Sequence, residues 1–209
     1  MNSPWIADEQ VVYDLQDDRW IINGNQIRPM KNEVILTFDD GPSRHLNSIL
    51  DILKDKQVQA MFFWQTKLLF KERAWKRILN EGHKIGAHTH THKNLVKLTK
   101  EQQYKQIKNN IDKIQEITGT KATYFRPPFG QYNEDTMSIL LNLNLTPVMW
   151  EISSFDWDNK NTPENIVCNV DHHIREGSIV LLHELEQTVQ ILPQMIDGIR
   201  GKGFEFTVL

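Results

Sequence analysis

Two adjacent carboxylates, Asp39 and Asp40, close an apolar run and stand directly before Gly41. Downstream lies a histidine cluster, His88-Thr89-His90-Thr91-His92. Oxygen and nitrogen donors of this kind make a mononuclear metal site, and a spare carboxylate beside it can move a proton. Together they are the equipment for generating a hydroxide and aiming it at a carbonyl. The chemistry they imply is hydrolysis.

His88 and His92 are four residues apart, so on one helical turn they face a single ion, with Asp40 completing a facial set of three. His90 then points elsewhere and stays outside the set. A solvated surface turn is the ordinary reading of a lone histidine pair. What argues for a site here is position: the pair follows one strand end, Asp40 follows another, and Gly86 permits close backbone approach just before. Asp39 is expected to act as general base, although the two carboxylates could exchange roles. Its bland alternative is a turn-forming Asp ahead of Gly41-Pro42.

Three more groups carry candidate chemistry. His183 ends the apolar run Leu181-Leu182 and is placed to protonate a leaving amine, with Asp156 the candidate for holding its other ring nitrogen. Arg126-Pro127-Pro128-Phe129-Gly130 is stiffened by two prolines. That stiffness suits holding Arg126 against a carboxylate, Asp39 being the candidate, and presenting the Phe129 N–H to a developing oxyanion. Trp157, beside Asp156, offers an aromatic face that suits a sugar ring, although most tryptophans at strand ends only pack.

The elements that must position these groups alternate along the chain. Strands are expected over 34–38, 60–64, 84–87, 122–125, 146–150, 178–182 and 204–208. Helices are expected over 46–54, 72–80, 99–118, 133–141, 163–174 and 189–200. About seven alternations imply a parallel sheet, most simply closed into a barrel. In such a barrel the loops after the strands converge on one rim, and every cluster named above falls in one of them. Ahead of this unit, Asn23-Gly24 suits a type I′ turn, so residues 1–32 are read as an extension with a small β-hairpin and 33–209 as the catalytic domain.

Composition sets limits. A chain of 209 residues with 39% hydrophobic content can bury one substantial core. A formal net charge of −3 and scattered basic residues give no reason to expect nucleic acid. One cysteine, Cys168, excludes an internal disulfide framework and a cysteine-rich metal site. Any ion is therefore held by nitrogen and oxygen. Zinc is the first choice, and two imidazoles with one carboxylate also suit cobalt, nickel or manganese. No apolar stretch reaches the ~20 residues needed to cross a bilayer, and residues 1–10 lack the pattern of an export signal.

In order and content these motifs resemble the polysaccharide deacetylases that share the NodB homology domain, carbohydrate esterase family 4. The resemblance spans roughly residues 33–209. Thr37-Phe38-Asp39-Asp40-Gly41 looks like the first family motif, and His88 to His92 looks like the second. Arg126-Pro127-Pro128-Phe129-Gly130 is similar to the third, Ser153-Ser154-Phe155-Asp156-Trp157 to the fourth and Leu181-Leu182-His183 to the fifth.

The resemblance implies a distorted (β/α) barrel of fewer than eight repeats and removal of N-acetyl groups from amino sugars of a polymer. It implies Asp39 as base, Asp40, His88 and His92 as metal ligands, and His183 as acid, with Asp156 and Arg126 tuning acid and base respectively. Pro128, Phe129, Trp157 and Leu181 would line the groove for the sugar and the acetyl methyl. The implied partner is an acetylated polysaccharide such as peptidoglycan or a chitin-type polymer. The implied location is secreted or cell-surface, and the implied state is a monomer. Three positions depart from the family pattern: Ser153 stands where an aspartate is usual, His90 where an aromatic is frequent, and Phe129 where tyrosine is commoner. Two other functions fit the same residues. One is an amidase or esterase on a small acylated substrate, and the other is a glycan-binding homologue with impaired catalysis.

Overall fold

The structure is a computed structural model and describes residues 11–13 and 15–209. Its centre is β1 (Glu33–Gly41), whose residues Val34, Ile35, Leu36 and Phe38 are fully buried. A continuous apolar run of this kind is what a strand needs when both of its faces are covered. On one side β1 pairs in parallel with β2 (Met61–Trp64), followed by β3 (Lys84–Ala87), β4 (Tyr124–Phe125) and β5 (Thr146–Pro147). On the other side it pairs with β7 (Ile179–His183), and β6 (Ile152–Ser153) follows. A last strand, β8 (Glu205–Phe206), pairs with the start of β1.

Among the described residues six helices cover the outside: α1 (Leu46–Asp55), α2 (Trp75–Asn80), α3 (Lys100–Thr118), α4 (Glu134–Asn142), α5 (Glu164–Asp171) and α6 (Glu186–Gly201). The large core lies between these helices and the sheet, with Phe38, Phe62, Ile107 and Ile196 among its members. A smaller core fills the inside of the curl, where Ile35, Met61, Phe63, Val148 and Ile179 meet. The alternation is met by a parallel sheet, and its curl is the distorted (β/α) barrel that the resemblance implies. The best-signalled helix is α3: Thr99 caps its start in a reciprocal capping box with Gln102, and Gly119 ends it in the left-handed region.

Three expectations need correction. Asn23-Gly24 makes no hairpin turn: Asn23 is extended (φ −140°, ψ 138°), and its side chain accepts from the Asn25 N–H to start a short 3-10 turn over Gly24–Gln26. The described part of the extension pairs with the barrel instead. Val12 bridges Ile152, Ile21 bridges Val148 and Asn23 bridges Ser178. The strand ends around β5, β6 and β7 offer unpaired backbone groups, and those partners win over local pairing. Finally, β5 stops at Pro147, and the short β6 just before Ser154 was not anticipated because two residues carry no periodicity.

Candidate active site

Strand register puts the first two groups side by side. β1 and β7 run in parallel with Thr37 opposite Leu181 and Asp39 opposite His183. With a side-chain period of two, residues 35, 37 and 39 of β1 share a face, so Asp39 reaches the rim above Thr37. Simple alternation would turn Asp40 to the opposite side. The pairing of β1 with β2 is irregular between Asp39 and Gly41, and Asp40 takes a left-handed backbone (φ 67°). The irregularity brings both carboxylates onto the same rim.

Asp40, His88 and His92 converge there, each with a donor atom within 4.8 Å of the others. Asp40 Oδ1 lies 2.9 Å from His92 Nε2 and 3.5 Å from His88 Nε2. The helical reason given for the histidine pair is wrong, although the pair does meet. Residues 88–92 form an irregular loop with left-handed backbones at Thr89 (φ 66°) and His92 (φ 54°), and these turn the two rings together. His90 lies apart and contacts Thr66 Oγ1 through its Nδ1.

Two observations test this trio as a cation site. His88 Nδ1 sits 2.7 Å from the Arg126 carbonyl, an acceptor, so Nδ1 carries the proton and Nε2 keeps a lone pair aimed at Asp40. Asp40 Oδ1 is buried, yet its approach to His92 lacks hydrogen-bond geometry and leaves it without a partner. Three donor atoms gathered within 4.8 Å, one of them a buried carboxylate oxygen without a hydrogen-bond partner among the described residues, fit a divalent cation. Burial acts to raise the Asp40 carboxyl, but the neighbouring imidazoles outweigh it and hold the group well below the usual carboxylate range.

Beside the trio, Asp39 Oδ1 accepts from Arg126 Nη1 at 2.8 Å. Arg126 is fully buried, donates also to Thr37 Oγ1 (2.7 Å) and the Met149 carbonyl (2.5 Å), and packs its guanidinium over Phe63. Burial lowers the arginine from its ordinary value, and Asp39 opposes that. Also beside the trio, His183 Nε2 faces Asp40 Oδ2 at 4.0 Å, while its Nδ1 lies 2.7 Å from Asp156 Oδ1. Asp156 is itself fixed by the His183 N–H and the Thr188 hydroxyl, both at 2.6 Å. Burial would lower the His183 imidazole, but the Asp156 carboxylate beside it prevails and pushes it up to about 9. Asp39 and His183 thus both border the trio, each with the partner expected for it.

A cavity of about 470 Å³ opens over these groups, walled by Phe129, Trp150, Trp157, Leu181 and Leu185. Phe129 is 62% exposed and left-handed (φ 62°), with its ring edge-on to His92 and its N–H bonded to no acceptor among the described residues. Trp157 is 46% exposed and meets His183 edge-on. Pro127 lines the cavity. Pro128, the proline expected there, is buried at the start of the 3-10 turn that carries Phe129. Trp150 and Leu185 were missed, since each sits in an irregular connection without a motif to mark it.

The sequence profile of the polysaccharide deacetylase family matches residues 26–148, more than half of the chain. A peptidoglycan N-acetylglucosamine deacetylase of Bacillus cereus is 34% identical over 186 residues, which is 86% of this chain and 67% of that protein. A solved peptidoglycan N-acetylglucosamine deacetylase superposes with a TM-score of 0.80 at 32% identity, covering 91% of both chains. A CE4 family pseudoenzyme from Bacillus anthracis superposes with a TM-score of 0.76 at 26% identity, covering 86% of this chain and 64% of that one. This chain spans about two thirds of the length of its first curated relatives. Profile, relatives and architecture agree, and the chain belongs to the polysaccharide deacetylase family.

Proposed function

We propose that this chain removes N-acetyl groups from amino sugars of an acetylated cell-wall polysaccharide, with peptidoglycan as the first substrate to test. The observation that carries the reading is that Asp39, paired with Arg126, and His183, paired with Asp156, line one cavity with the Asp40, His88 and His92 trio. A base and an acid at one centre are what amide hydrolysis demands, because water is a poor nucleophile and an amine anion a poor leaving group.

Asp40, His88 and His92 would hold one divalent cation, zinc by preference. When bound, such an ion supplies Lewis acidity to the carbonyl oxygen and acidity to the attacking water. Asp39, oriented by Arg126, accepts a proton from the attacking water as it adds to the acetamide carbon. The Phe129 N–H donates to the oxygen on which negative charge grows. His183, kept protonated by Asp156, gives its proton to the sugar nitrogen as the C–N bond breaks. The products are acetate and a free amino sugar. Leu181 receives the acetyl methyl, and the exposed rings of Phe129 and Trp157 give the sugar a surface to pack on.

Among the described residues no helix is long and apolar enough to cross a membrane. The chain is proposed to act as a monomer at or outside the cell surface. Acetate release from peptidoglycan, chitin oligosaccharides and acetylated xylan, assayed with and without chelator and with metal content measured, tests the reading. Chelator-sensitive release from a glycan supports it. Release confined to small amides or esters points to the small-substrate amidase. Tight glycan binding without release points to a non-catalytic member such as the pseudoenzyme relative.

A further inference from the structure

Behind the cavity wall, three aromatic side chains and one arginine form a continuous stack. The Tyr13 ring lies on Trp150 with centroids 5.0 Å apart and planes 26° from parallel. The Arg126 guanidinium carbon sits 5.6 Å from the Trp150 ring and 4.2 Å from the Phe63 ring. Hydrogen bonds fix Arg126 at Nη1 and Nη2, whereas its buried Nε has no partner. Ring contacts hold the guanidinium plane together with those bonds.

The same two rings reach the oxyanion turn. A Cβ built on Gly130 would meet Trp150 Cη2 at 3.0 Å and Tyr13 Oη at 3.6 Å, so this pair backs the turn that presents the Phe129 N–H. Tyr13 is held there by its neighbours: its N–H donates to the Glu151 carbonyl at 2.8 Å, and Val12 bridges Ile152. The Tyr13 ring carries the contact with Trp150, and its hydroxyl oxygen makes the approach to the Gly130 turn.

We infer that Tyr13 is a positioning residue for the deacetylase centre: pressed on Trp150, it sets the plane of Arg126, and hence the aim of Asp39, and it backs the Phe129 turn. The residue comes from the extension ahead of the barrel. The inference rests on the roles proposed above for Asp39 and Phe129. A misaimed base slows the chemical step more than it weakens substrate binding, since Tyr13 does not line the cavity.

The test uses the metal-loaded full chain with Tyr13→Leu, Tyr13→Phe and Val12→Ala. Two quantities are read: kcat and KM for acetate release, and the water-exchange rate of the Arg126 Nε–H by nitrogen-15 NMR, assigned by its loss in Arg126→Lys. Tyr13→Leu is expected to lower kcat about tenfold with KM nearly unchanged, and to speed Nε–H exchange to a similar degree. Tyr13→Phe keeps the ring on Trp150 and should match the wild type in Nε–H exchange, with kcat lowered only about twofold by loss of the hydroxyl's approach to the Gly130 turn. Val12→Ala weakens the same segment without touching the stack and should match the wild type in both. Equal losses in Tyr13→Phe or Val12→Ala would overturn the inference, as would wild-type kcat and exchange in Tyr13→Leu. If leucine prevents folding, Tyr13→Met, an adaptable apolar filler, carries the same comparison. Absence of acetate release from the wild type would refute the deacetylase reading alone, and the exchange rates would still decide whether Tyr13 holds Arg126.

Discussion

The two flanks of the trio solve opposite problems with one device. On the base side Arg126 is fully buried and its partner Asp39 is 4% exposed. On the acid side Asp156 is fully buried and its partner His183 is 16% exposed. In each pair the member without a proposed chemical step is the deeper one, and the reacting member faces the cleft. A charge sunk below the site fixes its partner: Arg126 orients the Asp39 carboxylate on one flank, and Asp156 holds the His183 imidazolium on the other. Strand register then places the two reacting groups level with each other. Symmetry of construction yields asymmetry of function because the signs of the buried charges are reversed.

Breaking the base side should have the largest effect. Asp39→Asn keeps size and burial but cannot accept a proton, so kcat should fall about 10³ to 10⁴-fold. Metal content by elemental analysis should be unchanged, because Asp40, His88 and His92 remain. Substantial residual turnover would move the base role elsewhere, Asp40 being the first alternative. Arg126→Met comes next. It strands a buried carboxylate, which costs about 3–5 kcal/mol of stability by denaturant unfolding, and it removes the group that aims Asp39. A variant that melts like the wild type would show that Arg126 and Asp39 are not coupled as described.

The acid side sharpens the comparison through pH. Asp156 is the main force lifting His183 to about 9 against its burial. A general acid works while protonated, so wild-type kcat should persist through neutrality and decline as pH rises toward that value. Asp156→Asn removes the lift. The alkaline limb should move to lower pH by about one unit or more, with kcat at its optimum reduced about 10-fold to 100-fold. An unshifted limb would mean that some other group sets it.

Much of this arrangement is legible in the sequence, and the illegible parts share a cause. Apolar runs and cap signals locate β1, β7 and α3, and barrel logic sends Asp39, Asp40 and His183 to one rim. Where the backbone leaves its regular path the sequence gives no notice. Asp40, Thr89, His92 and Phe129 are all left-handed without being glycine, and these bends bring His88 to His92 and both carboxylates to the same point. No helical spacing rule contains that information. The Asn23-Gly24 signal failed for a related reason. A turn propensity of about 1 kcal/mol yields when distant strand edges offer backbone partners. Trp150 went unnoticed because its importance lies in what it touches, Tyr13 and Arg126, far away in the chain.

Next to His183 lies a third buried carboxylate that serves as an internal control for the other two. Glu184 accepts from the Trp64 Nε1–H (2.8 Å) and the Ser43 N–H (2.6 Å), and among the described residues no cation is hydrogen-bonded to it, Arg73 acting only from a distance. Burial pushes it up to about 7, against the pull of those donors. A folded-state value above the unfolded 4.5 means that its stabilising contribution is complete below about 4.5 and is lost as pH rises through about 7. Glu184→Gln removes this titration but leaves one donor, Trp64 or Ser43, facing an amide NH₂, a cost of about 1–3 kcal/mol. Denaturant unfolding should therefore show the variant less stable than the wild type at pH 5 and the gap narrower at pH 8. A gap of constant size would mean that Glu184 does not titrate in this window.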